Sequence, residues 1–235
     1  MEHTTDCVVC GSELVYESKS YPRECFYCKG TSISYVQCSK GHFVCDACHS
    51  LSANELIARF CIASESDDPL EMALTLMRDS RIKMHGPEHH FLVPAVLLAA
   101  YYNVKNEHDL KVAKISEAQK RARNILGGFC GFCGACGAAV GTGIFISLIT
   151  DATPLASEGW RQCNMMTSKS LLSLATIGGP RCCKRTSYLS LLEAVEFVRD
   201  NFRIEMAVEP ELVCEFSQLN RECIKERCPF YHIPA

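Results

Sequence analysis

Eight cysteine and histidine side chains lie in the first 50 residues at spacings that are typical of zinc sites. They form four pairs, three spaced Cys-x2-Cys and one spaced Cys-x3-His; the residues are Cys7, Cys10, Cys25, Cys28, Cys38, His42, Cys45 and Cys48. Four such ligands close one tetrahedral zinc site, so this segment predicts two bound zinc ions. Because so short a segment has few apolar residues, we expect the metal to supply its folding free energy.

The spacing from Cys25 to Cys48 resembles the leading part of the RING-finger ligand pattern, with the upstream pair replacing the missing final pair. This resemblance implies a β-rich, treble-clef or RING-like module that binds a protein partner. Its ligands would be interleaved, with one zinc ion on Cys25, Cys28, Cys45 and Cys48 and the other on Cys7, Cys10, Cys38 and His42. A sequential pairing, in which Cys7 and Cys10 join Cys25 and Cys28, is the alternative.

A second group of thiols lies in the glycine-rich stretch of residues 127–143, where Cys130, Cys133 and Cys136 have the spacing Cys-x2-Cys-x2-Cys. Glycine lets the backbone wrap closely around a small group, and thiolates are the usual ligands of iron–sulfur clusters and zinc. We interpret the stretch as a cluster-binding loop that leads into a buried helix. The alternative is a tightly packed helix with thiols that bind nothing.

The same region is the one credible candidate for a membrane span, because residues 129–150 carry no charge. The run is rich in glycine and cysteine and lacks flanking aromatic anchors, so we expect no membrane insertion. The amino terminus has neither the basic start nor the apolar run of a secretory signal. The chain has 17 cysteines, an odd number that argues against a disulfide framework. Metal sites in a protein of the reducing cytoplasm explain these cysteines better.

A third group of thiols, Cys182 and Cys183, is flanked by Arg181, Lys184 and Arg185 at the start of a predicted helix. Three neighbouring cations should lower the pKa values of both thiols, which would make them good ligands or nucleophiles.

We expect Cys136 and at least one of Cys182 and Cys183 to share an iron–sulfur cluster. The loop that contains Cys136 and the loop that contains Cys182 and Cys183 each precede a helix. The amino terminus of a helix stabilises the negative charge of thiolates and cluster sulfur. The rival interpretation is local ligation by Cys130, Cys133 and Cys136 alone.

A fourth group of ligands lies in the last 23 residues, 213–235, and consists of Cys214, Cys223, Cys228 and His232. Three thiols and an imidazole are enough for one zinc ion, and a structural zinc staple is the preferred interpretation. The spacing resembles that of a CCCH zinc finger, which implies RNA binding, but the charges of the segment balance. Alternatively, Cys228-Pro229 donates a ligand to the central cluster.

The pattern between the two ends predicts a mainly α-helical fold with three parts, residues 1–50, 51–212 and 213–235. Pro87 begins a helix with His89 and His90 in its first turn, and Pro94 is expected to kink or interrupt it. Further helices are expected at 106–126 and 188–202, and a short strand at 203–208.

Two family resemblances support a metal-dependent function. The zinc pairs and the runs Gly86-Pro87-Glu88-His89-His90, Cys136-Gly137-Ala138-Ala139 and Pro180-Arg181-Cys182-Cys183-Lys184-Arg185 resemble an uncharacterised prokaryotic domain, which in some proteins follows a methyltransferase domain. The segments that begin at Cys136 and Cys182 also resemble cluster-binding segments of iron–sulfur L-serine dehydratases and desulfidases. That second resemblance implies that Cys136 and Cys182 bind the cluster, with Cys163 as a third ligand. It also implies an open iron position that activates the leaving group of the substrate.

Three functional hypotheses result. The first is an iron–sulfur enzyme of lyase or sulfur-handling type, with a 4Fe–4S cluster and a small anionic substrate. Lys184, Arg185 and His89 or His90 would bind the anionic group or transfer a proton. The second is a zinc-dependent adaptor without catalysis. The third, RNA binding through the tail, is disfavoured by a net charge of −3.

Overall fold

The computed structural model describes residues 7–45, 48, 51–208 and 211–232, and these form a mainly α-helical protein with a small sheet at the amino-terminal end. This confirms the predicted fold class. The sheet consists of the antiparallel strands β1 (Leu14–Glu24) and β2 (Thr31–Cys38). The helices are α1 (Ala53–Ala63), α2 (Pro69–Arg78), α3 (Glu88–Lys105), α4 (His108–Ala122), α5 (Phe129–Phe132), α6 (Gly137–Ile149), α7 (Ser157–Ile177) and α8 (Cys183–Phe202). Two short 3₁₀ helices, Ser217–Leu219 and Lys225–Arg227, lie in the tail.

The two strands form a bent hairpin that positions tight cysteine-bearing turns. Leu14 pairs with Cys38 and Glu24 with Thr31, and the register shifts between Tyr16 and Tyr21, where β1 bulges. The Cys7 turn is closed by a hydrogen bond from the Gly11 N–H to the Cys7 carbonyl, and Gly11 adopts a φ of 66° that suits glycine.

Helix α3 is the centre of the hydrophobic core, since most of its side chains from Phe91 to Tyr102 are buried. Helices α1, α2, α4, α6 and α8 all pack against it. The helix is continuous through Pro94, so the expected interruption does not occur. Helix α6 approaches it so closely that a Cβ on Gly141 would lie 2.8 Å from Pro94 Cδ and 3.1 Å from the His90 carbonyl oxygen.

Local signals explain where several helices begin. Ser52 and Glu55 form a reciprocal capping box at α1, and the Asp68 side chain accepts hydrogen bonds from the Leu70 and Glu71 amides at α2. Helix α8 begins at Cys183, earlier than residue 188, because the Cys182 sulfur accepts the Arg185 amide at its start.

The predicted strand at 203–208 is wrong. These residues form no strand, and the Ala207 N–H donates to the Asp67 carbonyl instead of to a sheet.

The uncharged run that begins at Phe129 is divided in the structure. Phe129–Phe132 is a four-residue helix and Gly137–Ile149 a separate thirteen-residue helix. Within the described ranges, no helix is both long and apolar enough to cross a membrane.

Candidate metal centres and the central cavity

The amino-terminal ligands gather into two compact groups. One group is Cys7, Cys10, Cys38 and His42, the other is Cys25, Cys28, Cys45 and Cys48, and the ligand atoms of each lie within 4.8 Å of one another. This grouping is the interleaved pairing, not the sequential one. Tetrahedral zinc with Zn–S bonds of ~2.3 Å places ligand atoms about 3.8 Å apart. Observed separations of 3.5 Å for Cys10 Sγ–Cys38 Sγ and 3.9 Å for Cys28 Sγ–Cys45 Sγ fit a metal such as zinc.

Hydrogen bonds to sulfur support both groups. The Lys40 amide donates to Cys38 Sγ at 3.3 Å, and the Cys45 amide donates to Cys25 Sγ at 3.4 Å. Such bonds stabilise the negative charge of a metal-bound thiolate. The Arg59 guanidinium lies 3.7 Å from Cys48 Sγ and adds positive charge to the second group.

A cavity of about 570 Å³ lies between the amino-terminal ends of three helices. Helix α3 contributes His89 and His90, α6 begins beside it with Gly137 and is capped by Cys136, and α8 contributes Cys183. The other residues that line the cavity come mostly from loops and from one apolar stretch of α7. They are His85–Pro87, Gly127, Gly128, Cys130, Gly131, Gly134, Ala138, Leu171, Leu174, Ala175, Gly178–Arg181, Arg185 and Thr186.

The electrostatic character of this cavity favours anions. Each helix amino terminus carries a partial positive charge, and α6 has no capping side chain on its first amides. The first amides of α3 donate to the Gly86 and Pro87 carbonyls, and Glu88 lies in its first turn. The exposed Arg181 lies at the rim, and no carboxylate is among the lining residues that the structure describes. The α6 amino terminus and Arg181 therefore give this cavity positive charge that favours an anionic ligand.

The two adjacent histidines differ in their surroundings. His89 is buried, and its Nδ1–H donates to the Gly86 carbonyl at 3.2 Å, which leaves Nε2 buried without a hydrogen-bond partner. Burial and the nearby Lys184 charge lower the pKa of His89 to about 3, so the ring is neutral. His90 donates from Nδ1 to the Ile125 carbonyl at 3.1 Å, and burial lowers its pKa as well.

The ring of His90 also packs against the start of α6. A Cβ on Gly137 would lie 2.1 Å from His90 Cδ2 and 2.4 Å from Nε2, so a larger residue there would displace the His90 ring. The contact places one imidazole beside the residue that follows Cys136.

The expected lowering of the thiol pKa values at the start of α8 is wrong. Burial raises the pKa of Cys183 to about 11, and the charge of Cys136 raises it further, although a hydrogen bond from the Gly86 backbone lowers it. Burial likewise raises the pKa of Cys182. Burial raises the pKa values of these thiols more than the neighbouring cations lower them, because Lys184 and Arg185 are paired with backbone carbonyls.

The charged groups of Lys184 and Arg185 bind backbone carbonyls, which does not agree with the predicted substrate-binding role. The Lys184 ammonium is buried away from the cavity, where it donates to the carbonyls of Met77 and Ile82 and lies 4.7 Å from the centre of the Phe216 ring. The Arg185 guanidinium donates to the carbonyls of Gly178 and Pro180 at 2.8 and 2.7 Å. Both cations hold backbone in place.

The predicted cluster ligands are only partly brought together. Cys130, Cys136 and Cys183 line the central cavity, whereas Cys133 is exposed outside it. Cys163 lies on α7 outside the cavity, and its thiol donates to the Trp160 carbonyl of the same helix at 3.2 Å. Cys182 also lies outside it, although its neighbour Cys183 lines it.

Cys182 lines a second, much smaller cavity of about 20 Å³ together with Cys214, Cys223 and Cys228. Burial raises the pKa of Cys214, and the charges of Cys182, Cys228 and Cys223 raise it further. The predicted fourth ligand of the tail, His232, is exposed and is not among the residues that line this cavity.

Two cavity residues were not identified from the sequence. His85 lines the central cavity, and its Nε2 lies 3.3 Å from Asn220 Oδ1 in the tail. Arg181 also lines the cavity, whereas the Lys184 ammonium donates to backbone carbonyls away from it. In the sequence, only the position of His85 directly before Gly86-Pro87 could have indicated a role at the cavity. Its contact with the tail is formed by tertiary packing, which a sequence pattern does not show.

Comparison of the chain with curated proteins and with solved structures found no match. A comparison with protein families matched residues 57–231, which include the described central cavity and the tail but not the two amino-terminal ligand groups. This match confirms the expected membership of an uncharacterised family. Because the match spans more than half of the sequence, the chain belongs to the family of unknown function DUF5714.

Proposed function

We propose that this metal-binding protein is an iron–sulfur-dependent enzyme of lyase or sulfur-handling type that acts on a small anionic molecule. The observation that carries the proposal is the convergence of Cys136, Cys183 and three helix amino termini on one cavity that lacks a carboxylate in its described lining. Thiolates and positive helix ends in one place suit an anionic metal cluster with an anionic substrate beside it.

The donor set fits such a cluster. Cys130, Cys136 and Cys183 supply three thiolates on one cavity, and three protein ligands leave one iron of a 4Fe–4S cluster without a thiolate. When bound, the cluster would supply a Lewis-acidic iron that accepts the leaving group of the substrate. The resemblance of the Cys136 segment to iron–sulfur dehydratases supports the same reaction class.

The chain's own residues would bind and orient the substrate. Arg181 and the amino terminus of α6 can hold a carboxylate, because both present positive charge toward the cavity. His89 suits a hydrogen-bond acceptor, since its Nε2 lone pair is buried and unpaired and its pKa of about 3 makes it a weak base. His90, only partly buried beside Gly137, is the better candidate for proton transfer.

The test begins with anaerobic purification of the full chain, followed by measurement of iron, labile sulfide and zinc and by a visible absorption spectrum. We expect Cys136→Ser and Cys183→Ser each to lose the central iron and keep the zinc of the amino-terminal groups. Cys163→Ser is the matched control and should keep both, because that thiol lies outside the cavity. Wild-type protein that contains no iron, or both cavity variants with full iron, would contradict the proposal.

Activity is measured separately, as release of ammonia or hydrogen sulfide from a panel of small hydroxy and thiol amino acids. Arg181→Gln should raise KM more than it lowers kcat, because Arg181 is assigned to the carboxylate and not to the reacting atoms.

The adaptor hypothesis is favoured by one specific observation. The hairpin exposes large apolar side chains, with Tyr16, Ile33 and Tyr35 at 74%, 66% and 58% exposure. Exposed aromatic surface of this kind is typical of protein-binding patches. An adaptor predicts that Cys136→Ser and Cys183→Ser leave the metal content unchanged, so the same measurements separate the two functions.

A further inference from the structure

Four cysteines from two distant parts of the chain surround the small cavity between α8 and the tail. Cys182 caps the amino terminus of α8, and Cys214, Cys223 and Cys228 come from the tail. Much of the remaining lining consists of large apolar and aromatic side chains, Met84, Tyr188, Phe216 and Phe230. The cavity is small, about 20 Å³, and soft thiolates are the ligand atoms gathered around it.

The backbone around these cysteines repeats a feature of the amino-terminal ligand groups. The Phe216 amide donates to Cys214 Sγ and the Lys225 amide to Cys223 Sγ, both at 3.4 Å and both from two residues further along the chain. The same contact joins the Lys40 amide to Cys38 Sγ in the amino-terminal group. In addition, the Arg185 amide donates to Cys182 Sγ at 3.5 Å. Three of the four sulfurs are therefore held by N–H groups that favour the thiolate form.

The tail is positioned for such a site by contacts outside it. The Cys214 amide donates to the Phe230 carbonyl at 2.7 Å, and the Phe230 ring packs edge-on against Tyr188 of α8. Arg78 of α2 forms an ion pair with Glu215. These contacts bring the tail cysteines to Cys182, whereas His232 remains exposed.

We propose that Cys182, Cys214, Cys223 and Cys228 bind a third, structural metal centre that fastens the tail to the amino terminus of α8. No three of these sulfurs lie within 4.8 Å of one another, as the ligand atoms of the amino-terminal groups do. Four thiolates therefore close either an iron–sulfur cluster, which spaces its sulfurs more widely, or one zinc ion around which the tail moves inward, and His232 is not a ligand. This centre is separate from the central site, since the adjacent residues Cys182 and Cys183 line different cavities. The inference holds whether or not the central site is catalytic.

The experiment compares metal content in the full-length chain, purified anaerobically. Cys182→Ser and Cys223→Ser should lose the same single metal centre, and His232→Ala and Cys163→Ser should lose none. Loss of zinc identifies an ion, and joint loss of iron and sulfide identifies a cluster. Cys223→Ser keeps the inference testable if Cys182→Ser fails to fold, because Cys223 lies in the tail and does not cap a helix.

Hydrogen exchange of residues 211–232 gives the second readout. The tail amides should lose protection in Cys182→Ser and Cys223→Ser but keep it in Cys183→Ser, which lines only the central cavity. This difference distinguishes failure of the tail site from failure of the proposed function. Full metal content in Cys182→Ser and Cys223→Ser, or loss of the centre in His232→Ala, would overturn the inference.

Discussion

The buried hydroxyl of Tyr27 connects the second amino-terminal ligand group to the helical body. Tyr27 lies between Cys25 and Cys28, is fully buried, and donates from its hydroxyl to Asp79 Oδ2 at 2.6 Å. Asp79 follows α2 and is paired with Arg81, which also donates to the Cys48 carbonyl at 2.7 Å. Replacement of Tyr27 by phenylalanine removes one oxygen atom and keeps the ring in place.

The expected destabilisation is about 2 kcal/mol, because a hydrogen bond to a charged group contributes ~1.5–3 kcal/mol. Burial would raise the pKa of Asp79, but hydrogen bonds from Arg81 and Tyr27 outweigh it and lower that pKa. Without the hydroxyl, one carboxylate oxygen faces an apolar ring, so the pKa of Asp79 should rise. Arg81 still neutralises the charge, which keeps the cost well below that of an unpaired buried carboxylate.

The assay is urea unfolding of the zinc-loaded chain, followed by far-ultraviolet circular dichroism. The matched control is Tyr35→Phe in β2, where the tyrosine is 58% exposed and should change the free energy of unfolding by less than ~0.5 kcal/mol. Equal destabilisation by the two variants would refute the assigned role of the Tyr27–Asp79 hydrogen bond.

Two further predictions concern packing and metal removal. Gly141→Ala should destabilise the protein by about 1 kcal/mol despite the better helix propensity of alanine, because its Cβ would lie 2.8 Å from Pro94 Cδ. Gly131→Ala, where no atom lies within 4 Å of the added Cβ, should not lower the thermal midpoint; equal midpoints for the two variants would count against close packing of α3 and α6. Cys25→Ser should release zinc from one amino-terminal group and expose the fully buried Tyr27, which tyrosine fluorescence and metal analysis would detect. Retention of both the zinc and the fold in a strong chelator would show that the module does not depend on metal.

The sequence predicted those features that depend on local spacing. Ligand pairs separated by two or three residues fix a tight turn, so eight amino-terminal ligands could be identified and the interleaved grouping foreseen. The helix starts at Ser52 and Asp68 also depend on local side-chain capping. The glycine-rich stretch of residues 127–143 allowed a tightly packed helix, and the structure shows α3 as the neighbour of Gly137 and Gly141.

Features that depend on tertiary packing could not be predicted in this way. The sequence pairs Cys182 with Cys183, but the start of α8 lies between two cavities and each thiol lines a different one. Cations beside these thiols suggested lowered pKa values, yet Lys184 and Arg185 bind backbone carbonyls and burial dominates. For the tail, the spacing to His232 suggested a self-contained finger, whereas Cys182, which caps α8, is the fourth thiol at the cavity.

The start of α8 is therefore shared by the two proposed sites in the helical part of the protein. Arg185 lines both cavities, and its guanidinium holds the carbonyls of Gly178 and Pro180 in the loop that leads to Cys182. A change in this loop alters the backbone that positions both thiols, so metal loss at one site is not by itself evidence for a ligand at that site. Substitutions on the far sides of the cavities, Cys136→Ser for the central site and Cys223→Ser for the tail, avoid the shared backbone. Their effects should be independent, because the two residues belong to different elements and line different cavities.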